Sequence, residues 1–124
     1  MDTPAHILVV DDSAITRSLL REMLGQIAPH PVAEATNGRE ALDFLHACPT
    51  CLVISDLHMS PMDGVELLHE VRARKALADL PFILMSGEQT PAAIAAAIQA
   101  GASGILSKPF GRDQLLLQIN RTLT

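Results

Sequence analysis

Four short apolar runs in this chain each stop abruptly on a polar or charged residue. They are His6-Ile-Leu-Val-Val-Asp11-Asp12, Cys51-Leu-Val-Ile-Ser-Asp56, Phe82-Ile-Leu-Met-Ser86 and Gly104-Ile-Leu-Ser-Lys108. An unbroken apolar run of about four to eight residues suits a strand buried on both faces, as in a parallel sheet flanked by helices. In such sheets the ligand crevice lies beyond the carboxyl ends of the strands. The pattern therefore predicts that three acids, a hydroxyl and a lysine meet at one edge, although they lie far apart in sequence.

Between the runs stand segments of helical spacing. Asp12 and Ser13 are N-cap candidates for a helix with apolar positions Ile15, Leu19, Leu20, Met23 and Ile27, its end bracketed by Gly25, Pro29 and Pro31. Residues 32–35 read as a short, weaker strand. Asn37 with Glu40 resembles a capping box opening a second helix with Ala41, Leu42 and Leu45 inward, and Asp63 with Glu66 opens a third carrying Leu67, Leu68 and Val71. Thr90-Pro91 opens an Ala-rich fourth helix that stops at Gly101, and the fifth carries Leu115, Leu116 and Ile119. Strand and helix alternate five times without a linker, which predicts an α/β fold with a five-stranded parallel sheet and helices on both faces.

At 124 residues, 1–124 read as one domain, long enough to bury a core without disulfides or metals. A hydrophobic content of 48% with 19% charged residues argues against disorder. No apolar run approaches the roughly 20 residues that span a bilayer, and residues 1–10 lack a signal-peptide layout, so the expected location is the cytoplasm, with no membrane partner. The net charge of −5, with acids and bases interleaved, disfavours direct nucleic-acid binding. Cys48 and Cys51 form a C-x-x-C, but it falls after a helix and before a strand. A redox pair needs the helix N-terminus, and zinc needs further ligands. We read them as a loop cysteine and a strand cysteine.

Asp11-Asp12, Asp56, Met62-Asp63-Gly64, Ser86 and Lys108-Pro109-Phe110 together resemble the signature of the receiver domain of two-component response regulators, particularly single-domain chemotaxis-type regulators. The Ala100-Gly-Ala-Ser-Gly104 stretch is similar to that family too, and the match runs from His6 to the last helix. The resemblance implies a flavodoxin-like doubly wound sheet with strand order 2-1-3-4-5. It implies a phosphoacceptor switch, not an enzyme acting on a separate substrate.

Three crowded carboxylates repel one another and call for a cation; a hard divalent ion with oxygen ligands fits, Mg²⁺ being the natural choice. By resemblance, Asp12, Asp56 and the backbone carbonyl of His58 hold it, and Asp11 acts through a coordinated water. Three acids give about −3, against about +3 from Mg²⁺ and Lys108, so an arriving phosphoryl group meets cations. Asp56 is then the nucleophile, Lys108 the ion-pair partner and Ser86 the switch hydroxyl. Gly87 offers no shield to the acyl phosphate, and His58 and Glu88 stand where the family tunes dephosphorylation. The implied partners are a sensor histidine kinase or phosphotransfer protein upstream, and a downstream protein or an effector domain not in this chain. The output face is built from the fourth helix, fifth strand and fifth helix, either as a monomer or through a weak dimer.

Three positions depart from the family pattern. Ser86 stands where Thr is common and keeps the hydroxyl. Ile105 replaces the usual Tyr or Phe, so signalling is expected through backbone and apolar repacking instead of aromatic rotation. Ser60 stands where Pro is usual, with Pro61 one later, which predicts unusual geometry beside Asp56. Lys108-Pro109 resembles the family's cis peptide bond. Asp63 reads as a helix cap, and His6, His30, His46 and His69 as surface or edge residues. The competing readings are a pseudo-receiver working without phosphorylation and an aspartate-nucleophile phosphatase. The phosphatase pattern wants Asp-x-Asp where this chain has adjacent acids.

Overall fold

Each predicted apolar run forms a strand, and the three central ones are buried on both faces because their side chains alternate between two cores. The computed structural model describes residues 4–87 and 90–123. Its strands are β1 (His6–Val10), β2 (Val32–Ala35), β3 (Thr50–Asp56), β4 (Phe82–Ser86) and β5 (Gly104–Ser107). All neighbours pair in parallel, in the order β2-β1-β3-β4-β5. The helices are α1 (Ala14–Ile27), α2 (Gly38–Ala47), α3 (Gly64–Ala73), α4 (Pro91–Ala100) and α5 (Arg112–Leu123), with a 3-10 turn at Lys75–Leu77.

The period of two in a strand separates the cores. Ile7, Val9, Leu52, Ile54, Ile83 and Met85 point to one face, where Leu20 and Leu24 of α1 and Leu115 and Ile119 of α5 cover them. Leu8, Val10, Val53, Phe82 and Leu84 point to the other, beneath α2, α3 and α4. Helix α4 packs through small residues, Ala97 and Ala100, leaving Ile98 62% exposed.

Helix ends follow the local chemistry. Asp63 and Glu66 complete a full capping box at α3. At α2 only half of one forms. Asn37 accepts from the Glu40 amide, but the Glu40 carboxylate reaches the amide and hydroxyl of Thr36 instead. Thr90 caps α4. Gly101 closes it at φ 99°, a left-handed conformation suited to glycine. Of the two cap candidates at α1, Ser13 is the cap; Gly25 lies inside the helix, which ends at Ile27 with Ala28 as its C-cap. Ile15 and Leu19 lie 83% and 44% exposed, because the buried stripe follows Leu20 and Leu24.

Arg72 of α3 ties the far side of the sheet together. Its Nε and Nη2 donate to the Gly101 carbonyl at 3.0 and 2.9 Å, and its Nη1 to the carbonyls of Ala78 and Leu80 at 3.1 and 2.6 Å. One planar fork thus joins the end of α3, the entry to β4 and the C-terminus of α4. We predict that Arg72→Ala lowers stability by about 2–4 kcal/mol in urea unfolding, since charged hydrogen bonds are lost and partly buried carbonyls are orphaned. Lysine recovers little, because it cannot bridge the same groups. Unchanged midpoints in both variants would contradict this role.

Candidate functional site

The carboxyl edge of the sheet collects the acids because the central strands end together. Strand β1 stops at Val10, leaving Asp11 and Asp12 at the turn into α1, and β3 carries Asp56 as its last residue. The Asp11 amide still donates to Ala35 (3.1 Å), and the Leu57 amide to Met85 (3.0 Å), so ladder bonding holds both turns. Across the β4–β5 pair the Lys108 amide donates to the Ser86 carbonyl at 2.9 Å. Gly64 lets α3 begin against β3, its amide bonding to the Leu57 carbonyl at 3.0 Å. A Cβ at Gly64 would strike the Asp56 carbonyl oxygen. Hence Met62-Asp63-Gly64 is more than a cap.

Asp11 is 1% and Asp56 8% exposed, whereas Asp12 faces solvent. The Lys108 Nζ lies 2.9 Å from Asp56 Oδ1 and 3.3 Å from Asp11 Oδ2. Asp11 Oδ1 also accepts from the Ser13 amide at 2.8 Å. Burial raises the Asp11 carboxyl above its ordinary value; the Ser13 bond opposes this, the Asp56 charge adds to it, and Lys108 opposes it. Burial alone would push the Lys108 ammonium down. The bond to Asp56 and the charges of both acids outweigh it, so the ammonium sits above its usual value. The pocket is thus short of positive charge: three acids face one lysine.

Asp11, Asp12 and Asp56 each offer a carboxylate oxygen, and these oxygens all lie within 4.8 Å of one another. An all-oxygen donor set with one arm open to water suits a hard divalent cation. The acidic triad can therefore bind a metal.

The remaining predicted residues divide. Ser86 is buried at the end of β4, one place beyond the residue that pairs with Asp56. His58 is exposed two residues past Asp56. Glu88 lies outside the described residues. Ile105 is half-buried, and with Ser86, His58, Leu84, Ile94 and Ala97 it lines an apolar cavity of about 210 Å³ beneath α4. Lys108-Pro109 is cis as expected, and Ser60-Pro61 is cis as well, which is the unusual geometry beside Asp56. Cys48 and Cys51 are both free. His46 accepts from Arg74 (3.2 Å), and His6 packs edge-on against Phe44.

The sequence reading missed Arg17, which reaches back from α1 to the Asp11 carbonyl at 2.7 Å. One signal was available. A cation in the first turn of a helix opposes the helix dipole, so it points to a tertiary partner.

The model of the response regulator receiver domain matches residues 7–120. Among curated relatives, the chain is 38% identical over 120 residues to the chemotaxis protein CheY of Bacillus subtilis, covering 96% of this chain and 98% of that one. It is 34% identical to the chemotaxis protein CheY of Pseudomonas aeruginosa, over 93% of each. The solved structure of the chemotaxis protein CheY4 of Vibrio cholerae superposes with a TM-score of 0.90 at 32% identity, over 98% of this chain and 100% of that chain. With the strand order, the acidic pocket and its lysine in place, the chain belongs to the response regulator receiver domain family, signalling proteins rather than true enzymes.

Proposed function

We propose that Asp56 accepts a phosphoryl group from a phosphohistidine or a small acyl phosphate in a Mg²⁺-dependent reaction, and that the modified chain switches a protein-interaction surface. The observation that carries this reading is the Lys108 ammonium, which stands 2.9 Å from Asp56 and 3.3 Å from Asp11 within a cluster of three carboxylates. Mg²⁺, held by Asp12, Asp56 and the His58 carbonyl with Asp11 acting through water, would supply neutralisation of phosphoryl oxygens. The other steps belong to the chain's own residues. An Asp56 oxygen forms the bond to phosphorus as the P–N bond of phosphohistidine, or the P–O bond of an acyl phosphate, breaks. The departing imidazole or carboxylate keeps the electron pair. Lys108 turns from Asp56 to a phosphoryl oxygen, and the Ser86 hydroxyl donates to another, so both make contacts available only after modification. Water later attacks the acyl phosphate, with Gly87 offering no shield and with His58 and Glu88 at the sequence positions that tune dephosphorylation in the family.

The kinase or phosphotransfer partner is read onto the exposed side of α1. Ile15 and Leu19 are uncovered there, and a surface cavity beside them is lined by Thr16, Leu19, Lys108, Pro109 and Phe110. An apolar partner seated there brings its phosphohistidine to Asp56. Output is assigned to the α4–β5–α5 face, where Ile98 and Leu117 are exposed, in a monomer or weak dimer. With Ile105 in place of an aromatic, movement of Ser86 is transmitted by closing the apolar cavity under α4. Residues 1–124 act as one receiver domain, and output passes to a separate protein or to a domain outside this chain. Among the described residues no helix is long and apolar enough to cross a membrane. The chemotaxis names of the relatives support a cytoplasmic role.

Incubation with acetyl phosphate and Mg²⁺ should add one phosphoryl group in intact-mass analysis, absent without the metal and absent in Asp56→Asn. If neither acetyl phosphate nor beryllofluoride modifies or binds Asp56, the pseudo-receiver reading replaces this one. A second expectation concerns stability. Mg²⁺ at 100 times its dissociation constant should stabilise the fold by about 2.7 kcal/mol through mass action. The raised Asp11 carboxyl means that its ionised form is disfavoured in the metal-free fold, so stability is lost as pH rises through the folded value. Asp11→Asn should therefore raise the melting midpoint at pH 7 without metal and reduce the gain from Mg²⁺. A lower metal-free midpoint in that variant would contradict the charge imbalance.

A further inference from the structure

The Asp11–Asp12 peptide joins two of the pocket's three acids, and its geometry is fixed from several sides. The Asp11 amide is held by Ala35, and the Asp11 carboxylate by the Ser13 amide. The Asp11 carbonyl receives the Nη1 of Arg17 at 2.7 Å. The same guanidinium places its Nε 2.9 Å from Glu34 Oε1 on β2, and the other Glu34 oxygen takes Arg21 Nε at 2.9 Å. The Arg17 side chain is only 16% exposed, against 50% for Arg21. Arg17 is thus a planar strut with one end on the acid turn and the other on the neighbouring strand. The Glu34 carboxylate, held well ionised by Arg21 and Arg17, anchors that far end.

We infer that Arg17, anchored by Glu34, is a positioning residue for the divalent-cation pocket, orienting the Asp11–Asp12 turn so that both carboxylates converge with Asp56. This rests on the Mg²⁺-dependent reading above. The geometry and the charge predict opposite signs, which makes the role separable. A guanidinium beside an acidic pocket repels a metal ion through space, so its removal should tighten Mg²⁺ binding if charge alone matters. If it orients the turn, its removal should loosen binding. Lysine keeps the charge but cannot span the Asp11 carbonyl and Glu34 with a rigid fork, so Arg17→Lys should behave like Arg17→Ala. Arg21 touches Glu34 and not the acid turn, and it serves as the control.

The experiment is Mg²⁺ titration calorimetry on the intact chain, with urea unfolding of each variant run alongside. Arg17→Lys and Arg17→Ala should each weaken Mg²⁺ affinity by about tenfold or more, as losses around metal ligands commonly do, while Arg21→Ala stays within about twofold of wild type. In phosphorylation by acetyl phosphate, the Arg17 variants should need more Mg²⁺ for half-maximal rate yet approach the wild-type rate at saturation, because Asp56 and Lys108 are untouched. A role confined to stability would move the urea midpoint and leave the Mg²⁺ constant unchanged, which overturns the inference. Equal or tighter binding in both Arg17 variants overturns it too. Should Arg17→Ala not fold, Arg17→Lys carries the test by itself. Wild-type protein that binds no Mg²⁺ would overturn the metal reading and this inference together, whereas a binding wild type with unaffected Arg17 variants overturns only this one.

Discussion

Lys108 spans Asp56 and Asp11 from the end of β5, and the functional edge of the molecule depends on that bridge. One ammonium pairs with two buried carboxylates while a third, Asp12, stands within 4.8 Å of them, and the deficit of positive charge is a property of the folded chain. Burial costs a charged group unless compensation is close. The protein supplies part of that compensation through Lys108 and the Ser13 amide. The rest is left to a cation, and a phosphoryl group, itself anionic, is accommodated only once that cation offsets the acids. The imbalance that disfavours the metal-free pocket is what draws the cation in.

The rest of the architecture serves to keep that edge rigid. Double-sided burial of β1, β3 and β4 fixes their register, since a slip by one residue would exchange the two cores. Asp11, Asp12 and Asp56 are therefore placed by the sheet rather than by loops. On the α3 side Gly64 allows the helix to start against the Asp56 carbonyl, and on the α1 side Arg17 holds the Asp11 carbonyl. The looser parts lie where movement would be used. Helix α4 packs by alanines over an apolar cavity beside Ser86 and Ile105. A small shift of β4's end can be absorbed there without breaking a packed core.

Legibility in the sequence followed the range of the interaction. The strands and the caps at Ser13, Asp63 and Thr90 were readable because each rests on neighbouring residues. So was the convergence of Asp11, Asp12, Asp56 and Lys108, which follows from strand ends in a parallel sheet once the strands are known. The buried stripe of α1 was misjudged. Five apolar residues compete for one face, and only tertiary packing selects Leu20 and Leu24 while leaving Ile15 and Leu19 outside. Arg72 was invisible for a related reason: its partners are backbone carbonyls, which leave no trace in side-chain pattern, and Arg17 left only the hint of a cation in the first turn of a helix. The half capping box at Asn37 shows the same limit, with Thr36 taking the carboxylate that Asn37 was expected to receive.

The charge deficit itself is most directly tested by following the Asp11 carboxyl carbon by NMR through a pH titration, with and without Mg²⁺. Without metal, the carboxyl should titrate above the ordinary aspartate value of 3.8, as its burial and the nearby Asp56 demand. Saturating Mg²⁺ should move it downward, because a cation favours the ionised form. A metal-free Asp11 that titrates at or below 3.8, with no response to Mg²⁺, would show that Lys108 already balances the pocket, and the account of why this edge takes a cation and a phosphoryl group would fail.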